Sequence, residues 1–277
     1  MHIDIIKYHN NRETISIEIG INYPIHNKIR LMDNKEKYRF EDFTIENYER
    51  IINIAVENGF QFILHKDDFN EDRKDVIWRH DVEFSPDVAL KMAKIEHNAG
   101  VNTTYFFQLH CDYYNILSTY NTNILHEIKN MGHHIGLHFD VHYYSIKAVT
   151  DLDKFISLDR NYFEKVFNIE LNTFSFHNTN EFILSCENYK YGGLINVYSD
   201  FFKKNYQYCA DSTGIWRYDI LDKVLSDDNV KHLQVLIHDA MWSEKVLSPK
   251  KRVKKAFQDN ADRIKKIYEN SKIYIDD

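Results

Sequence analysis

The sequence is poor in the residues that usually break or staple a chain. It has three prolines and eight glycines in 277 residues, too few for long disordered linkers. Its three cysteines, Cys111, Cys186 and Cys209, are odd in number and far apart, so they form neither a disulfide framework nor a paired-cysteine zinc motif. No apolar run approaches the ~18 residues of a membrane span. There is no basic excess: the net charge is −7, which argues against a nucleic-acid partner. No GxGxxG or GxxxxGK[ST] follows a strand-like run, so dinucleotide and phosphate-loop readings lack their fingerprint. The start, "MHIDIIKYHNNRETISIEIG", has no basic stretch leading into an apolar core, so no export leader is expected and a cytoplasmic location is the expectation.

What remains is an ordinary soluble composition, 43% hydrophobic and 28% charged, in a chain long enough for one α/β barrel. The first 43 residues alternate apolar and polar around "HNNRE" and read as a small β-hairpin extension. Residues 44–277 are expected to form the main domain. From residue 76 a strand–helix rhythm sets in. "VIWRH", "TTYFFQL", "HHIGLHF", "NTFSFH", "LINVYS", "YQYCADS" and "HLQVLIH" read as strands. Between them lie helices such as "SPDVALKMAKIEHNAG", with Ser85 at the N-cap, Pro86 in the first turn and Gly100 after the last. A final helix is expected from Pro249 to about Asn270. Such alternation implies parallel βαβ units, and a distorted (β/α) barrel of about seven strands is the predicted fold, with an open doubly wound sheet second.

In that architecture chemistry gathers where strands end. The expected ends carry Arg79, His80, Asp81 and Glu83; His138 and His142; His177; Asp211; and His238. The stretch "GHHIGLHFDVH" holds four of the fifteen histidines. His133 and His134 begin its strand and are expected to be structural. His138 and His142 are spaced i, i+4, about 13 Å apart if extended but neighbours in a helical turn, so sharing one ion requires a turn after about Leu137. A carboxylate from "HDVE" would complete a three-ligand site. Asp81 and Glu83 point to one side of an extended segment, so one can bind metal while the other serves as base. Trp216 and Trp242 are candidates to stack on a sugar ring, Arg217 to grip an anionic group, and Asp211 to orient His238.

In this order, "WRHDVEFSPDVALKMAKIEHNAGVNTTYFF", "GHHIGLHFDVH", "FSFHNT", "DSTGIWR" and "LIHDAMW" resemble the polysaccharide deacetylase family, the NodB-homology carbohydrate esterases. The match is to the divergent branch whose first signature reads R-H-D-V-D, and it covers roughly residues 45–245. The resemblance implies a distorted barrel holding one divalent metal ion, zinc by first choice, on a carboxylate and the histidines His138 and His142. It implies Asp81 as general base and His238 as general acid. Two departures stand out. Val82 occupies the position of a second aspartate, which moves the metal carboxylate to Glu83 or leaves the ion on Asp81. The arginine signature of the next strand is replaced by "SFHNT", so His177, Arg79 or Arg217 must take its place.

The expected activity is removal of an N-acyl group from an amino sugar in bacterial surface-glycan biosynthesis, with a free, nucleotide-linked or lipid-linked acylated sugar as partner. The alternatives are a non-catalytic sugar- or nucleotide-sugar-binding barrel and an amidohydrolase acting on a non-sugar amide.

Overall fold

A computed structural model describes residues 39–216 and 219–271. The expected N-terminal hairpin and Arg217 lie outside the described residues. The elements are α1 (Ile45–Glu57), β1 (Gln61–Ile63), β2 (Asp75–Val82), α2 (Pro86–Asn98), β3 (Thr104–Phe107), α3 (Thr119–Asn130), β4 (His134–Phe139), α4 (Leu152–Phe167), β5 (Thr173–Phe176), α5 (Glu181–Leu184), β6 (Lys190–Tyr191), β7 (Leu194–Asn196), α6 (Asp200–Asn205), β8 (Gln207–Ala210), α7 (Leu221–Leu225), β9 (His232–His238) and α8 (Pro249–Glu269).

All strands join one sheet in the order β6-β7-β5-β4-β3-β2-β9-β8, with β1 against the first half of β2. Every pairing is parallel except β6 with β7. The sheet is a curled, incompletely closed barrel with helices outside. Among the described residues it has nine strands rather than about seven, because β1 and β6 are three and two residues long, too short to leave a periodic signal.

The helices form where their ends are marked. Ser85 caps α2 by accepting from Val88 N, Thr44 caps α1 through Asn47 N, and Ser118 caps α3 through Asn121 N. Their apolar stripes pack on the sheet in one core on each side of β2.

β2 fixes the frame. All eight of its residues are buried, as expected of a central parallel strand. Alternation sends Arg79 and Asp81 to the barrel interior and Trp78, His80 and Val82 to the helical layer. The outer side is not purely apolar. Glu96 of α2 is fully buried and receives bonds from Tyr48 Oη, from His80 Nε2 at 2.6 Å, from Tyr105 Oη at 2.7 Å and from Thr103 Oγ1 at 2.8 Å. Trp78 Nε1 donates to Tyr48 Oη at 3.0 Å. His133 lies 3.6 Å from Glu96 and also bonds the Ala93 carbonyl at 3.0 Å. His80, read from the sequence as a rim residue, therefore belongs to this structural network on the far side of the sheet. The cause is the period of two, since the neighbour of an inward Asp81 must point outward.

On the inside, Gly136 of β4 is dictated by close approach. A Cβ there would lie 2.4 Å from the Phe106 ring.

Burial pushes the Glu96 carboxyl up, but the charge of His80 and the hydrogen bonds outweigh it and hold it at about 2. A carboxyl lowered on folding stabilises above its unfolded value and loses that contribution as pH falls toward the folded value. Glu96→Ala is expected to cost about 3–5 kcal/mol in denaturant unfolding. The wild-type midpoint should fall between about pH 4 and pH 2 more steeply than that of the variant. Gly136→Ala should cost about 1–3 kcal/mol in the same measurement.

Candidate metal centre

Past the end of β2 the chain is pinned from β9. The buried Asp239 carboxylate accepts the backbone N–H groups of Glu83 at 2.8 Å, of Phe84 at 3.2 Å and of Ser85. Tyr114 Oη donates to the Val82 carbonyl at 2.9 Å and accepts from Gln108 N at 3.0 Å. The turn is thus held from two sides, and it aims the Glu83 side chain back over the barrel mouth.

There Glu83 Oε1 meets His138 Nε2 at 3.2 Å and His177 Nδ1 at 2.9 Å, and the two ring nitrogens are 3.3 Å apart. These three residues are the one group among the described residues whose donor atoms could hold a metal ion. An ion with tetrahedral bonds of ~2.0–2.1 Å places its donors about 3.3–3.4 Å apart, so the observed separations fit zinc-like coordination with slight expansion. The donor set, one carboxylate and two imidazoles, fits the same ion.

The supports behind the donors are equally specific. His138 Nδ1 is bonded to Ser175 Oγ at 2.7 Å, and Ser175 Oγ donates to Asp81 Oδ1 at 3.1 Å. This Asp81–Ser175–His138 chain occupies Nδ1 and leaves Nε2 to act as donor atom. His177 follows β5, its backbone N–H extending the ladder to the Phe139 carbonyl at 2.9 Å. Its Nε2 lies 2.7 Å from the Asn178 side-chain amide.

Burial alone would raise the Glu83 carboxyl, but the bonds from His138 and His177 hold it well below the usual carboxylate range. Burial lowers His177, and the bond to Glu83 more than reverses this.

His142 is not brought into the group. β4 runs on to Phe139, so His138 is still in extended chain and the turn begins two residues later than one shared ion would need. The exposed His142 ring instead sets Nε2 3.2 Å from the Asn178 carbonyl. His177, read from the sequence as a supporting residue, stands third in its place.

Asp81 lies one layer deeper, 1% exposed, with Oδ2 3.8 Å from His138 Nδ1 and 3.9 Å from Arg79 Nη2. Arg79 is fully buried, its guanidinium 4.6 Å from the centre of the Tyr198 ring. Across the mouth, Asp211 accepts from the His238 backbone N–H, bonds His238 Nδ1 at 2.6 Å, and accepts from Trp242 Nε1 at 2.8 Å. Burial disfavours the charged His238 ring, but Asp211, with Glu83 and Asp81 beyond it, raises it to about 10.

Trp216 and Trp242 are each 2% exposed and pack on Phe43. They are core residues and present no face to a sugar. Trp242 acts on the site only by holding Asp211. Sequence reading missed Ser175, Asn178 and Tyr114 as site supports. Asp239 was likewise given no role. For Asp239, its place directly after the predicted strand "HLQVLIH" was the available signal.

No family model matches the sequence, and no curated protein matches it. The fold is similar to that of solved carbohydrate esterases. A family 4 carbohydrate esterase from Bacillus anthracis aligns with 76% of this chain and 85% of its own at 15% identity, TM-score 0.41. A chitin deacetylase from the fungus Colletotrichum lindemuthianum aligns over 72% and 86% at 15% identity, TM-score 0.41. A family 4 pseudoenzyme from Bacillus anthracis aligns over 69% and 63% at 12% identity, TM-score 0.38. Likenesses this distant say nothing of chemistry, which the residues themselves must carry.

His238 is raised above the ordinary histidine value, so its stabilisation is complete below about pH 6.5 and is lost as pH rises through about 10. Asp211→Asn should bring the ring's titration, followed by NMR of its nitrogens, back toward the ordinary value. A ring that titrates unchanged in Asp211→Asn would refute the assigned pairing.

Proposed function

We propose that the chain is a metal-dependent hydrolase that removes an N-acyl group, acetyl foremost, from an amino sugar or sugar precursor. The observation that carries this is the convergence at one barrel mouth of a Glu83–His138–His177 donor set, a separate carboxylate on Asp81 and the His238 imidazole bonded to Asp211.

Glu83, His138 and His177 would hold one divalent ion, zinc by first choice. A bound ion of this kind supplies a Lewis acid and an activated water at neutral pH. The chain's residues supply the rest. Asp81, tied by Ser175 and beside Arg79, is the base that takes the water proton. His238 carries a proton at neutral pH because Asp211 holds it charged, and it delivers that proton to the leaving amine nitrogen. Asp211 fixes the imidazole so that Nε2 is its free end.

This resolves the two departures from the family pattern in chemical terms. With Glu83 on the ion, Asp81 stays free as base despite Val82, and His177 fills a ligand place while Arg79 lies beside the base. An acylated amino sugar, free or joined to a nucleotide or lipid, is the substrate class proposed. A role in bacterial surface glycans and a cytoplasmic location belong to the same proposal.

The test is metal content together with acetate release from a panel of N-acetylated sugars. Stoichiometric zinc and release from at least one substrate are expected, and zinc-free, inactive protein would sink the reading. His177→Ala should lower metal affinity by about 100-fold or more, whereas His142→Ala should leave metal content near wild type. Asp81→Asn should keep the metal and lower kcat by about 10²–10⁴. Because protons compete with the ion for the imidazoles, zinc affinity should fall as pH drops through the raised His177 value.

A further inference from the structure

We propose that the exposed face of α8 docks the protein on an anionic lipid surface. α8 is the longest helix among the described residues, at 21 residues, and only its first half packs closely on the body. Arg252 and Ala256 are buried, but from Phe257 onward only Asn260 and Arg263 are even partly covered. Ile264, Ile267 and Tyr268 are 55%, 55% and 56% exposed. Ile267 stands seven residues beyond Asn260, on the side turned to the body, so the helix has outrun the body by its last turn.

The apolar residues of this stretch are not scattered. At about 100° per residue, Phe257, Ala261, Ile264 and Tyr268 fall within about 60° of one another, with Ile267 at their border. Lys250 and Lys254, seven and three residues before Phe257, extend the same line toward the N-terminus. Asp259, Asp262 and Glu269 lie about 120° or more from Phe257 round the helix. Two of these acids already face lysines of the same helix, Asp259 with Lys255 at 2.6 Å and Glu269 with Lys265 at 3.6 Å. α8 carries eight Lys and Arg against three Asp and Glu, in a chain whose net charge is −7. A polar helix that sets lysines beside a line of aromatic and branched side chains has the form that lies in a membrane interface.

The apolar surface continues onto the body. Tyr113 stacks on Phe257 at 5.3 Å and packs on Phe84 at 4.6 Å, and the Arg263 guanidinium lies 4.1 Å from the centre of the Tyr120 ring. Tyr113, Leu117 and Tyr120 are themselves exposed. Phe84 follows Glu83, so this row of rings leads from α8 to the residue beside the candidate metal centre.

Charge selects the occupant. A second copy seated on this face would set two cationic helices against each other. Anionic headgroups complement the lysines, and acyl chains take the apolar line. A protein docked this way meets the lipid-linked member of the substrate class, a step that rests on the activity proposed above.

The test needs no turnover, so its outcome is separate from the metal and acetate measurements. The full chain is co-sedimented with vesicles of phosphatidylcholine alone and of phosphatidylcholine with about one-third phosphatidylglycerol. Binding to the anionic vesicles should be at least about tenfold tighter than to the neutral ones and should weaken as salt is raised. Ile264→Ser with Ile267→Ser, and separately Lys250→Gln with Lys254→Gln, should each weaken it about tenfold while leaving Tm near wild type. Absence of binding to anionic vesicles, equal binding to both kinds, or binding undiminished in either double variant would overturn the proposal. So would a lipid-free dimer in sedimentation equilibrium that Ile264→Ser with Ile267→Ser dissociates, because the face would then belong to a second copy.

Discussion

The structure depends on the alternation of β2, a central strand that is charged on both faces and exposed on neither. Its inner face carries Arg79 and Asp81 and leads into Glu83, the carboxylate of the candidate metal centre. Its outer face ties His80 to Glu96, an acid that three elements share. A slip of one residue would place His80 inside and Asp81 against Tyr105, leaving unmatched charge on both sides. Register here is therefore set by ionic complementarity as well as by apolar packing. The Asp239 carboxylate, receiving three successive backbone N–H groups past the strand end, stops the same slip from the other direction.

Much of this was legible in the sequence. Capped helices alternating with short β-branched and aromatic runs fixed the βαβ rhythm, and the strand ends did carry the polar residues that meet at the barrel mouth. The i, i+2 relation of Asp81 and Glu83 was only half readable, because period two holds within β2, which ends at Val82, and the turn pinned by Asp239 is what aims Glu83. The same rule, applied one residue earlier, turns His80 away from the site. Where the reading departed from the structure, it treated a strand end as a pool of residues rather than as two faces.

The choice between His142 and His177 was less accessible. It hangs on whether β4 ends at Leu137 or Phe139, a difference of two residues that composition does not encode. It also hangs on β5 delivering a histidine just past its last paired residue. Trp216 and Trp242 show a related limit. Tryptophan after a strand end suits either a ligand-stacking surface or a core, and only the partner ring, Phe43 from a distant segment, decides. Ser175 had no signal of its own. Its importance comes from standing between Asp81 and His138, a relation of three strands.

Gly136 gives the barrel mouth its floor. With no side chain there, the Phe106 ring lies flat across the space that a Cβ would claim, one layer beneath His138. Phe106 is paired with Asp81 on one side and with Gly136 on the other, so the space that glycine leaves lets an aromatic ring share the layer of a buried carboxylate.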